Sequence, residues 1–128
     1  MRKPTPKPRI WPATVVAALL GAFAPLPAGA ADAKHGATVF EACAACHNDQ
    51  PEALGPSLKG VYGRKAGALD DFHYSNAMKR AGFVWDAANL KAYLADPQAK
   101  VKGNRMPFSG FQNPTDIDDV IAYLQTLK

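Results

Sequence analysis

Residues 43–47 read Cys43-Ala-Ala-Cys46-His47, and this pentad holds both cysteines of the 128-residue chain. Side chains three apart on a helix share one face, so the two thiols stand one above the other with an imidazole next in line. That spacing suits addition of both thiols to the two vinyl groups on one side of a haem, with His47 held where its ring can reach the iron. Two other chemistries start from the same cysteines. A thioredoxin-type redox pair belongs in a βαβ setting, and no strand pattern is visible here. A plain disulfide across so short a loop would add little stability and gives no reason for a histidine at position 47. The pentad therefore reads as covalent attachment of one haem c through Cys43 and Cys46, with His47 as an iron ligand.

The start of the chain reads as an address. Residues 1–11 are basic and proline-rich, residues 13–24 form an uncharged apolar run, and Pro25-Leu-Pro-Ala-Gly-Ala30 ends in small residues. This is the layout of a secretory signal, with Ala28 and Ala30 in the A-x-A pattern. Cleavage is expected after Ala30, with Ala31 second. An uncleaved anchor would need roughly 20 apolar residues, more than this run supplies. The expected organisation is a cleaved signal over 1–30 and one monohaem domain over 31–128, exported to the periplasm with no stable membrane insertion.

Cleavage also changes the charge. The chain carries 15 Lys+Arg against 11 Asp+Glu, a formal +4. Arg2, Lys3, Lys7 and Arg9 leave with the signal, so the remainder is formally neutral. Nucleic-acid binding is excluded on this ground, because the basic excess that would support it lies in the leader.

About 98 residues remain, too few for two independent cores and marginal for one without a cofactor or staple. Three segments read as helices. The first starts near an Asp32 cap and runs into the Cys43–Cys46 region, with Gly36, Phe40, Cys43 and Ala44 on one face. The second opens at Asp86, with Trp85 and Leu90 as a hydrophobic staple, and stops at Asp96-Pro97. The third follows Pro114 with Thr115 as cap and Asp118 in the capping-box position. Ile117, Val120, Ile121, Leu124 and Leu127 form its apolar stripe, and Asp116, Asp118 and Asp119 suit the positive end of its dipole. Between helices, residues 54–60, 62–67 and 96–103 are rich in turn residues, and ordered loops in so short a chain need something to wrap around.

What stands opposite His47 decides the function. An open site binds or activates small molecules, whereas a second strong ligand leaves electron transfer. Once the signal is removed, Met78 and Met106 are the candidate thioethers. Met106 lies in a Gly-flanked loop, Lys102-Gly-Asn-Arg-Met106-Pro-Phe-Ser-Gly110, that can cross the open face of a haem and present a soft ligand. Met78 reads as the start of a short helical turn and is the weaker choice.

With these motifs in order, the chain resembles a class I cytochrome c. The resemblance covers residues 32–128. It rests on Gly36 and Phe40 before the pentad, Gly55-Pro-Ser-Leu58 and Gly63-Arg-Lys65 after it, and Tyr74-Ser and Phe83-Val-Trp85 in the middle. Met106-Pro-Phe-Ser-Gly110 and Val120-Ile-Ala-Tyr-Leu124 complete it. It implies an all-α fold in which the first and last helices cross, Gly36 allows close approach and Phe40 packs near Tyr123, with a middle helix, all wrapped around one haem. It implies that the Pro56 carbonyl accepts the proton of the distal nitrogen of His47. Arg64, Tyr74 and Trp85 match positions that hydrogen-bond a buried propionate, and Tyr93 and Asn104 match positions near the methionine sulfur. Met78 departs from a frequent asparagine in the family's buried water network, and Lys102 from a frequent proline. His35 and His73 match no ligand position and read as solvated surface residues.

The expected function is a soluble periplasmic one-electron carrier, not an enzyme, with His47 and Met106 as iron ligands. It would shuttle between redox protein partners as a monomer. The rivals are a haem enzyme or gas sensor with an open sixth site, such as a peroxidase, and a dedicated electron-transfer subunit of one enzyme. Lys100, Lys102 and Arg105 have no acid near them between Asp96 and Asp116, and are expected to frame the exposed haem edge as a docking patch.

Overall fold

The computed structural model describes residues 2–12, 24–25 and 29–128. Most of the leader's apolar run, and Ala28, lie outside the described residues. The described elements are α1 (Ala33–Ala44), α2 (Asn76–Lys79), α3 (Ala87–Ala95), α4 (Pro97–Lys100) and α5 (Pro114–Leu124). No strand forms among the described residues. Lys65 and Val84 make one isolated antiparallel bridge, and backbone bonds from Gly63 and Ala66 to Trp85 and Phe83 tie those two loops together.

Local chemistry explains where the helices begin. Asp32 caps α1 by accepting from the Lys34 and His35 amides, and Asp86 caps α3 by accepting from Asn89. For α5 the cap is Asn113, whose side chain accepts from Thr115, and not Thr115 as the sequence predicts. Pro114 has no N–H to satisfy and a backbone angle already suited to the first helical position, which moves the cap one residue before it. No capping box forms at Asp118; its carboxylate instead accepts from Lys91 Nζ at 2.8 Å and links α5 to α3. The single turn α4 falls in a segment that reads as loop, because four residues are too few to show an apolar period.

α1 and α5 make the closest crossing in the molecule. A Cβ added to Gly36 would stand 2.0 Å from the backbone oxygen of Asp119, so glycine is what allows the two backbones to touch. Phe40 and Tyr123 stack obliquely beside that point, with ring centroids 5.0 Å apart. Leu90, Tyr93 and Leu94 of α3 and Ile117, Val120, Ile121 and Leu124 of α5 supply most of the buried core, and Met78 of α2 joins them with Val61, Ala66, Trp85 and Val101 from the loops.

One contact at this crossing is not legible in the sequence. Asp119, only 5% exposed, turns inward rather than serving as a solvated charge near the start of α5. Its Oδ1 accepts from the Asp32 amide at 2.7 Å, and its Oδ2 lies 2.8 Å from His35 Nδ1. His35 is exposed but partnered, which corrects its reading as a solvated residue. The hydrogen bond to Asp119, opposed by some desolvation, raises the His35 pKa. The Asp32 amide and then His35 lower that of Asp119.

Two outcomes follow. Gly36→Val drives side-chain atoms into the α5 backbone and is expected to cost roughly 2 kcal/mol or more, read as a lowered denaturant midpoint of the holoprotein. The His35–Asp119 contribution is fully present from above the ordinary carboxylate range up to about pH 6.5, and it declines as pH rises through the elevated His35 value. Melting temperature should therefore fall with pH across that upper window in the native protein, and the fall should shrink in His35→Gln.

Candidate cofactor site

The sequence places the attachment pentad where α1 runs out. The helix ends at Ala44, and the amides of Cys46 and His47 both donate back to the Cys43 carbonyl, at 3.1 and 2.9 Å. This tight turn aims Cys43, Cys46 and His47 at one cavity of about 480 Å³ in the centre of the domain. All ten residues singled out from the sequence line it: Cys43, Cys46, His47, Pro56, Arg64, Tyr74, Trp85, Tyr93, Asn104 and Met106. They come from the end of α1, from α3 and from three loops, so the cavity is where the turn-rich segments converge.

The histidine is held from behind. Its Nδ1 lies 2.7 Å from the Pro56 carbonyl oxygen. A carbonyl can only accept, so Nδ1 carries the proton and Nε2 keeps a free lone pair for a metal. Gly55 makes this possible, since a Cβ there would stand 2.5 Å from the imidazole Cε1. The Gly55 amide in turn donates to Cys46 at 2.9 Å, closing the loop between them.

The methionine loop is pinned by one buried side chain. Asn104 donates through Nδ2 to the carbonyls of Pro97 and Val101 and accepts at Oδ1 from the Met106 amide, each at 2.9 Å. The Tyr93 hydroxyl lies 3.3 Å from both Met106 Sδ and Asn104 Oδ1, with one proton to give to either. Burial pushes the Tyr93 pKa up to about 12, which keeps that proton in place at any physiological pH.

The remaining expected residues split in their detail. Trp85 is buried and packs edge-on against Phe83 and Tyr93. The Tyr74 hydroxyl accepts from the Leu69 amide at 3.4 Å, which leaves its own proton free to donate. Arg64 lines the cavity while its guanidinium donates to the Ser57 and Lys59 carbonyls. Its charge is thus anchored at the wall by backbone oxygens, and among the described residues it forms no ion pair. Met78 is buried against the same cavity. His73, read as surface, is exposed yet sits at the rim, where its carbonyl accepts from Arg105.

What sequence reasoning missed is the apolar share of the wall. Leu58 and Val61 from a loop and Leu90, Leu94, Val120 and Leu124 from α3 and α5 all face the cavity, and the helical spacing of the last four says only that they are inward. The signal that could have found them is the shortage of core for so short a chain. Burial of Cys43, with the Cys46 thiol beside it as a lesser cause, raises the Cys43 pKa. The set fits a haem: paired thiols, one imidazole with a free Nε2, a thioether, an apolar wall and anchored polar groups on one side.

The family model for cytochrome c matches residues 33–128. The chain belongs to the cytochrome c family. It is 47% identical over 91 residues to cytochrome c2 iso-2 of Magnetospirillum molischianum, an overlap of 70% of this chain and 94% of that one. To cytochrome c2 of Rhodoblastus acidophilus it is 47% identical over 102 residues, 77% of this chain and 95% of the relative. The solved structure of cytochrome cH from Methylobacterium extorquens superposes with a TM-score of 0.71 at 49% identity, covering 74% of this chain and 98% of that one. This cytochrome is an all-α electron carrier with covalently bound haem c, working with redox partners.

Asn104→Ala leaves the Met106 amide without its acceptor and takes one of two donors from each of the Pro97 and Val101 carbonyls, which keep their backbone bonds. It should lower stability by about 2 kcal/mol or more, read as an earlier denaturant midpoint of the holoprotein.

Proposed function

We propose that this cytochrome is a freely diffusing periplasmic carrier whose haem is held by Cys43 and Cys46 and ligated by His47 and Met106. The observation that carries it is the pairing of two fixed donors on one cavity: an imidazole with Nδ1 bonded to Pro56 and a thioether beside the Tyr93 hydroxyl. When bound, haem supplies a one-electron couple at the iron.

The protein's own groups do the rest. Pro56 fixes the tautomer and the ring orientation of His47. Tyr93 holds the Met106 sulfur from behind, and Asn104 holds the loop that carries it. These contacts are neutral hydrogen bonds to backbone and side chain, so they persist whichever charge the site carries. Leu90, Leu94, Val120 and Leu124 exclude water, and a dry, thioether-ligated site favours the reduced state. Tyr74 and Trp85 offer donors to a propionate, and the Arg64 charge lies near enough to the cavity to lower the cost of burying an anion.

Export follows from the leader pattern over 1–30, with cleavage after Ala30. No described helix is long and apolar enough to cross a membrane. The working form is a monomer that docks with a redox protein where Arg105 lines the cavity rim, and Lys100 and Lys102 add positive charge on the adjoining loop.

The spectrum tests the ligands. The reduced protein should show the sharp visible bands of a six-coordinate c-type haem and bind carbon monoxide slowly. Met106→Ala should abolish the weak sulfur-to-iron band of the oxidised form and open the site to carbon monoxide. Fast carbon monoxide binding in the native protein would instead favour an open-site enzyme or sensor. For docking, electron-transfer rates with an acidic redox partner should fall as salt rises and fall further in Lys102→Glu; rates indifferent to both would remove the basic patch from the mechanism.

A further inference from the structure

A second depression, of about 460 Å³, lies apart from the cofactor cavity, between α2 and the turn that follows α4. Three cations line it, Arg80, Lys100 and Lys102, together with apolar atoms of Phe83 and Val101. No acid lines it. Among the described residues none of the three is in an ion pair. The two chain segments that build it, 72–85 and 97–115, contain no Asp or Glu at all. Positive charges gathered without a counter-charge raise the local potential and draw anions.

Lys100 is held in place rather than waving in solvent. Its ammonium donates to Asn89 Oδ1 at 2.7 Å and stands 4.6 Å from the centroid of the Phe83 ring. Both partners are neutral. They fix the position of the charge and leave it uncompensated. Arg80, just beyond α2, brings a guanidinium whose planar donors match two oxygens of one phosphate, and Lys102 adds a further ammonium. A single carboxylate would leave two of the three cations unanswered, whereas a phosphate group or a chain of them carries the charge and the oxygens for all three. The size is that of a small-ligand site.

We propose that this depression is a binding site for a phosphate-bearing anion. The ligand would also be felt at the cofactor. Phe83 packs edge-on against Trp85 at 4.8 Å, and Trp85 lines the cofactor cavity. A negative charge bound there stabilises the oxidised, more positive site and lowers the reduction potential. By reciprocity the oxidised protein binds the anion more tightly than the reduced one.

The test is an amide NMR titration of the reduced holoprotein with inorganic pyrophosphate at constant ionic strength. The expected result is one saturable set of shifts at Ala77, Arg80, Ala81, Phe83, Val101 and Lys102. Arg80→Ala and Lys102→Ala should each weaken binding roughly tenfold, the loss of one charge-assisted contact, whereas Lys59→Ala should not change it. Shifts spread over Lys34, Lys59 and Lys65, or an affinity unchanged in Arg80→Ala, would overturn the proposal. The same titration followed by reduction potential should show a fall that Arg80→Ala suppresses, and a potential that ignores pyrophosphate would refute the coupling. Sedimentation with phosphatidylglycerol vesicles separates the two sources of the group. Pyrophosphate-competed sedimentation would assign a lipid headgroup, and its absence beside pyrophosphate binding would assign a free phosphate.

Discussion

Where α1 crosses α5, the backbone oxygen of Asp119 lies so close to Gly36 that any side chain would overlap it. Much of the molecule depends on this contact. α1 delivers Cys43, Cys46 and His47 from its C-terminal end, and α5 supplies Val120 and Leu124 to the wall they face. The crossing therefore sets how far the attachment point stands from the apolar surface opposite. Asp119 reinforces it with two bonds of its own, to the Asp32 amide and to His35. Those bonds join the first turn of α1 to the middle of α5.

The cavity is not a gap in a core that exists without it. In a helical domain this short, the inward faces of α3 and α5 cannot close on one another and still leave room for ten converging functional side chains. The apolar surface is shared between helix packing and cofactor. That is why the loops are ordered: they pass over the cavity and are tied down by particular bonds. Pro56 is tied through His47, residues 63–66 through 83–85, and Met106 through Asn104. Each tie ends on a neutral partner, so a change of charge at the centre asks little rearrangement of them.

Charge is segregated rather than absent. The acid-free run from 97 to 115 places Arg105 at the cofactor cavity and Lys100 and Lys102 at a different depression, shared with Arg80. One acid-free run thus contributes cations to two depressions. On the other side Asp118 pairs with Lys91, and Asp119 is withdrawn into the helix crossing. The acidic end of α5 is less a solvated face than its sequence indicates.

The pentad, the glycine before it, the methionine loop and the stripe of α5 each have a short-range signature, because covalent attachment, close helix approach and helical burial all demand fixed residue types at fixed spacing. From these the sequence by itself determined the fold class, the cofactor and the polar and ligating residues that line the cavity, but not its apolar wall. Other features have no local signature. The inward turn of Asp119, the anchoring of Arg64 on backbone carbonyls, the shift of the α5 cap to Asn113 and the separation of Lys100 and Lys102 from Arg105 join residues distant in sequence or hang on backbone direction. Tertiary structure alone decided these, since a side chain's partner is set by which elements the fold brings within hydrogen-bond reach.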